Sequence, residues 1–313
     1  MTHGRMADLP AEVLRDVARA VGAEVTGLSR LAGGVNGGAV RVELAGNATA
    51  VLKAVPRAHP DQPEATLRAR RVVEHMRGRG YPTPAWIGVG ATATHVWHLM
   101  DFVDAAPAPA LTTSLVEQLM AIVELQAGQA SEPYDHWSYA WRVATDAGST
   151  ADSEDVGDTA EQSLLRRSMA GVSSHSSAVS ALVERLRLMC ADVPPPREAP
   201  DMVHADLSTP SNVLVRDGAV VAVVDIGNAG SGTRAIDLTT LVWATFEDPL
   251  LDEVRKRLWT RVVDLVGWEG AAVLVSAQTL HMLEVPIRRG SHRAVPRVVQ
   301  CGYRAVEELE AFR

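Results

Sequence analysis

VHADLSTPSNVLV, Val203–Val215, and the RDGAVVAVVD that carries the chain on to Asp225 disclose most of what this sequence does. His204, Asp206 and Asn212 fall within nine residues, and an apolar run follows at once. Val213–Val215 and Ala219–Val224 are apolar and largely β-branched, and Asp217-Gly218 between them is a strong two-residue hairpin turn. An antiparallel hairpin returns the chain to the end it left. Asn212, just before the first strand, and Asp225, just after the second, are therefore expected side by side, since each short arm advances only about 3.4 Å per residue. Asp206 lies six residues before Asn212, in a loop that contains Pro210 and is able to fold back over the same end. An amide oxygen and a carboxylate suit a hard cation such as Mg²⁺. The second acid, Asp206, is then free to orient or accept a proton from a hydroxyl. The plainer alternatives stay open: His204 as a loop hydrogen-bonder, Asp206 as a turn residue and Asp225 as a strand-end cap.

The rest of the chain frames this cluster. It has 313 residues, 47% of them hydrophobic, enough for a substantial core and about two domains. Net charge is −8, which disfavours a nucleic-acid partner and suits a cationic one. We expect no membrane partner: no apolar run reaches the roughly 18 residues of a span, and MTHGRMADLP lacks the apolar core of a signal peptide. Cys190 and Cys301 are too few and too far apart for a metal motif or a disulfide framework, so a reducing cytoplasm is the expected compartment.

Along the chain, residues 8–22 read as an amphipathic helix ending at Gly22. Three β-type runs follow, EVTGLSRL, AVRVEL and TAVLKAV, separated by AGGVNGG and AGN. A helix is expected over 62–79, stopped by Gly80, Pro82 and Pro84. AWIGVG and HVWHLMDFV read as two more strands, and DAAPAPA, residues 104–110, as a linker. That places a boundary between 1–103 and 104–313. The second part reads as mostly helical, over about 112–128, 163–191 and the C-terminal region, interrupted by the β-rich 203–224. Residues 146–161 hold six acids and no base, which suggests a loop or insertion.

Of 30 basic residues only Lys53 and Lys256 are lysines. Lys256 sits in a charged helical run, whereas Lys53 lies in the middle of an apolar strand. A buried ammonium needs a partner, and the phosphates of a nucleotide are a suitable one. The alternative is an edge lysine reaching out to water.

His204-Ala205-Asp206 with Asn212, then Asp225-Ile226-Gly227, resembles the HRDLxxxxN and DFG loops of protein kinases. Alanine in place of the arginine, and AGSGTRAIDLTTLVW with Asp237 opening a helix, are similar to the aminoglycoside phosphotransferase family, whose loop commonly reads H-x-D-x-x-x-x-N. The resemblance covers most of the chain. It implies an α+β, bilobal protein-kinase-like fold: an N-terminal antiparallel sheet lobe and a larger, mostly helical C-terminal lobe. It implies Asp206 as the catalytic residue, Asn212 and Asp225 as the Mg²⁺ ligands, and Lys53 on the α- and β-phosphates. The backbone of Asp101 and Val103 would be the hinge that binds the nucleobase. LAGGVNGGAV, Leu31–Val40, stands at the family's nucleotide loop. The family also pairs the lysine with a glutamate of the first-lobe helix, for which Glu64, ahead of Glu74, is the available acid.

The expected activity is transfer of a phosphoryl group from ATP (or GTP) to a hydroxyl of a small cationic antibiotic, an aminoglycoside or a tuberactinomycin-type peptide, giving resistance. The 146–161 segment, Asp248 and Glu284 are candidates to line the cation's site. A metabolic kinase acting on choline, homoserine or a sugar is the alternative, followed by a catalytically weak nucleotide-binding protein. A metal-dependent hydrolase would want further histidines near His204, and VHADLST has none.

Overall fold

The computed structural model describes residues 9–31, 39–132, 134–145, 171–207 and 210–313. By packing, the chain forms two compact units: Met1–Leu111 with Thr209–Ala229, and Thr112–Ser208 with Gly230–Arg313. The lobes expected from sequence, 1–103 and 104–313, are continuous stretches. The packing units are not, because the 213–223 hairpin pairs with residues 106–107.

In the first unit, β1 (Val25–Arg30), β2 (Ala39–Leu44), β3 (Ala48–Pro56), β4 (Trp86–Ala91) and β5 (His95–Asp101) form an antiparallel sheet in the order β1-β2-β3-β5-β4. Side chains alternate between its faces. Val40, Val42, Leu44, Ala50, Leu52, Ala54, Trp97 and Leu99 make a buried core with Val13 and Val17 of α1 (Ala11–Val21). The helix ends at Gly22, whose φ of 69° is the left-handed cap that glycine adopts freely. Trp97 Nε1 donates to Asp16 Oδ2 at 3.0 Å, tying β5 to that helix. α2 (Gln62–Arg77) buries Ala69, Val72, Val73 and Met76 and packs against β4, β5 and the turn at Ile226–Asn228.

The hairpin of β8 (Val213–Arg216) and β9 (Ala219–Val223) turns at Asp217 and Gly218, φ 53° and 76°, as their sequence predicts. Between Leu214 and Val215 the register slips by one residue, a bulge. The expected linker is in part a third strand: β6 (Ala106–Pro107) pairs with β8, an edge position where proline's missing N–H costs nothing.

The second unit holds α3 (Thr113–Glu124), α4 (His136–Thr145), α5 (Ser177–Cys190), α6 (Ala235–Thr245), α7 (Asp252–Arg288) and α8 (Val295–Glu310), with a two-stranded ribbon of β7 (Asp201–Val203) and β10 (Gly230–Gly232). Thr112 and Ser176 cap α3 and α5 by accepting from Leu115 N and Val179 N, at 3.2 and 3.3 Å. α7 is the hub, packed on α6, α4, α8 and α5. Gly267, at φ 69° and ψ 176°, breaks it into two helical stretches. By length and composition the segment Pro249–Arg288 is apolar enough to cross a membrane, yet 67% of its most apolar window is buried within the protein, as in a core helix. Of the helix expected over 163–191, residues 163–170 lie outside the described residues and 171–176 are turn rather than helix; residues 32–38 of the glycine-rich loop and the acidic segment also lie outside the described residues.

Candidate active site

In the first unit the sheet and the hairpin bring together residues far apart in sequence. Lys53 sits in β3 with its side chain 23% exposed, and its Nζ is ion-paired with Asp225 Oδ1. Asp225 follows β9 and holds the left-handed conformation, φ 65° and ψ 37°, immediately before the turn at Ile226–Asn228. That conformation is uncommon for a non-glycine residue and concentrates at functional turns. Asn212 ends the turn before β8 and is buried. Its carbonyl accepts from Val224 N at 2.9 Å, one register step beyond the Val213–Val223 pair. The hairpin therefore brings Asn212 and Asp225 to one end, as expected from its turn and strand lengths.

Neither glutamate of α2 is the partner of Lys53. Glu64 Oε1 accepts from Arg71 Nη2 at 3.0 Å, and Glu74 Oε1 from Arg70 Nε at 2.7 Å. Both pairs run along the exposed helix surface, where an arginine one or two turns away is the nearest cation. The lysine takes the carboxylate at the end of β9 instead.

After β5, in the segment expected to be the hinge, Asp101 N donates to Ala85 O and Val103 O accepts from Ala105 N, each at 2.9 Å. These bonds engage the amide of one residue and the carbonyl of the other.

In the second unit β7 leads into His204, Ala205 and Asp206. Asp237, near the start of α6 and fully buried, anchors this segment: its carboxylate accepts from His204 N and Ala205 N, both at 2.8 Å, and from Gln126 Nε2 at 2.9 Å. Burial pushes the Asp237 pKa up, while His204 and the three donors pull it down. Ala205 is left-handed, φ 68°, and Asp206 N donates to His204 Nδ1 at 3.3 Å. The Asp206 side chain is exposed. His204 is thus fully buried and bonded within the loop, while the acid beside it faces solvent.

Two histidines escaped the sequence reading. His281 of α7 is held below its ordinary pKa by burial, against the pull of Glu284 and Asp206 and with a push from Arg288. In the first unit, His98 of β5 stands opposite Lys53 of β3 and lies flat against Trp86. Burial, then the charge of Lys53, lowers its pKa to about 3 against the pull of Asp225. A lone histidine in an apolar strand carries no motif, and only the order of strands in the sheet reveals its neighbour. Of the acids offered for a cation's site, Asp248 caps the turn at Pro249–Leu251 by accepting from Leu250 N at 2.9 Å. Glu284 is buried, with Oε1 accepting from Arg288 Nε at 2.5 Å and Oε2 without a partner.

Solved structures share this fold. A thermostable mutant of the aminoglycoside phosphotransferase APH(4)-Ia, in ternary complex with ADP and hygromycin B, superposes with a TM-score of 0.65 at 14% identity, over 95% of this chain and 99% of that one. A type VIII aminoglycoside-3'-phosphotransferase gives 0.53 at 21% identity, over 87% and 98%. A fructosamine-3-kinase from Thermobifida fusca, described as putative, gives 0.54 at 21% identity, over 93% and 98%. No protein of curated function matches the chain in sequence. The α+β fold is thus the kinase-like fold of these phosphotransferases. Residues 27–274, most of the chain and both groups of polar residues described above, match the family described as phosphotransferase enzyme family, and the chain belongs to it.

Proposed function

We propose that this phosphotransferase moves the γ-phosphoryl group of ATP (or GTP) to a hydroxyl of a small cationic antibiotic, an aminoglycoside or a cyclic peptide, and so inactivates it. In this reading the bond between the γ-phosphorus and its bridging oxygen breaks, a bond to the acceptor oxygen forms, and the nucleoside diphosphate leaves. Asp206 orients the acceptor hydroxyl and accepts its proton late, because the transition state is loose and positioning dominates. Lys53 neutralises phosphate charge, and the Asp101 carbonyl and Val103 amide hold the nucleobase.

The observation that carries this reading is the Lys53–Asp225 pair at the end of the hairpin that also carries Asn212. A carboxylate and a buried amide oxygen at one hairpin end fit Mg²⁺, which takes few protein ligands and fills its octahedron with phosphate oxygens and water. Bound there, Mg²⁺ would offset the charge of the β- and γ-phosphates.

The net charge of −8 supports a cationic acceptor, and the hygromycin complex of the similar APH(4)-Ia supports an aminoglycoside. The fructosamine-3-kinase likeness favours a second reading, a metabolic kinase acting on a sugar derivative. We place the enzyme in the cytoplasm, where nucleoside triphosphates are abundant. Release of ADP across a panel of aminoglycosides, peptide antibiotics, macrolides, choline and glycated amines separates the two. Asp206→Ala should lower kcat by about 10²–10⁴-fold with nucleotide affinity kept. Unchanged turnover in that variant removes the catalytic assignment.

A further inference from the structure

The nucleotide reading gives Lys53 a task but leaves unexplained what holds a long, flexible side chain in position for it. Lysine carries about 2 kcal/mol of rotamer entropy, and a binding group that must be ordered on ligand arrival loses that much affinity. The strand register supplies a support. Lys53 stands directly opposite His98, so the two side chains leave the same face of the sheet as a cross-strand pair. Trp86 stands opposite Met100, two residues beyond His98 and hence on that face as well. The indole and imidazole rings are parallel within 2°, with centroids 4.0 Å apart. Trp86 is buried, 6% exposed, so the imidazole rests on a fixed surface.

We propose that His98, held flat against Trp86, is a positioning residue of the nucleotide site: its ring is a wall along the stem of Lys53 that aims the ammonium at Asp225 and at incoming phosphates. The inference rests on the nucleotide role of Lys53. The ring is also uncharged near neutral pH, since burial and the neighbouring ammonium hold its pKa near 3. A phosphate-binding lysine thus gains a flat neighbour that neither repels it nor competes for the phosphates. A protonated histidine in that place would do both.

The test uses MgADP binding by calorimetry on the full chain, which needs no acceptor substrate. His98→Val keeps a strand-forming residue but removes the flat ring, and His98→Phe restores a ring able to stack on Trp86. MgADP affinity should fall about 5–10-fold in His98→Val, and His98→Phe should recover most of that loss. In a Lys53→Ala background His98→Val should have no further effect, because a residue acting through Lys53 loses its role with it. An unchanged affinity in His98→Val overturns the proposal, as does an equal loss in His98→Phe or a full additional loss in the double variant. If Lys53→Ala alone binds MgADP as tightly as the unaltered chain, the nucleotide reading itself falls, an outcome distinct from any of these.

Discussion

Lys53 and Asp225 are 172 residues apart in the chain and joined as an ion pair in the fold. One stands in the middle of the five-stranded sheet, the other where the small hairpin ends, and α2 packs against the turn that follows the aspartate. Their side chains are 23% and 35% exposed, and a pair so open to solvent contributes under about 1 kcal/mol to stability. In the proposed function, a charged hydrogen bond from that lysine to a bound phosphate is worth more, about 1.5–3 kcal/mol. Lys53→Ala should therefore leave the thermal midpoint within a few degrees of the unaltered protein while weakening MgADP at least tenfold. A large fall in the midpoint with little change in binding would make the pair a structural device.

Asp225→Asn keeps an oxygen beside Asn212 but removes the charge. It should raise the Mg²⁺ concentration needed for half-maximal nucleotide binding by tenfold or more, with the loss smaller at high Mg²⁺. Asp206→Ala should leave that Mg²⁺ dependence where it is. Titrating Mg²⁺ at fixed ADP in both variants separates the role proposed for Asp225 at the ion from that proposed for Asp206 at the acceptor.

Asp237 anchors the loop of His204, Ala205 and Asp206. Its carboxylate is the common acceptor for two backbone amides of that loop and for Gln126. Asp237→Ala strands three donors, two of them in fully buried residues and one half-buried, and such a loss costs about 3 kcal/mol or more. The thermal midpoint of a domain this size should fall by roughly 6–12 °C, and the left-handed Ala205 would lose the bond that holds it. Gln126→Ala, which strands no backbone group, should cost much less. Equal losses in the two variants, read by calorimetry, would contradict this account.

Sequence alone disclosed what depends on local pattern. The β-type runs AVRVEL and TAVLKAV, parted by the turn AGN, marked β2 and β3, Asp217-Gly218 set the hairpin, and the hairpin in turn predicted that Asn212 and Asp225 share an end. Arginine usage singled out Lys53. What it missed depends on strand order. β3 is followed in the chain by α2 and β4 but pairs with β5, so nothing near Lys53 in sequence points to His98. The same gap explains the glutamates: Glu64 and Glu74 lie on the expected helix, but arginines of that helix hold both, and the acid that reaches Lys53 comes from 172 residues further along the chain. Residues 106–107 read as a linker because Pro and Ala carry no strand pattern, and their pairing with β8 is imposed by the neighbour.

His98 also sets a pH dependence that can be isolated. Its pKa falls from 6.5 in the unfolded chain to about 3 in the folded one, chiefly through burial. Between those values the unfolded chain binds the proton and the folded protein does not, so acid favours unfolding. The contribution is fully present above pH 6.5 and is lost as pH falls toward 3, at about 1.4 kcal/mol per pH unit. Other groups titrate in the same window, so the informative quantity is a difference between proteins. His98→Phe keeps the stack on Trp86 and removes the titration. Relative to that variant, the unaltered protein should lose about 2 kcal/mol of unfolding free energy between pH 7 and pH 5, measured by urea denaturation at each pH. If the two proteins lose stability in parallel, the imidazole is free to charge in the folded state, and a wall of fixed neutral charge beside Lys53 is ruled out.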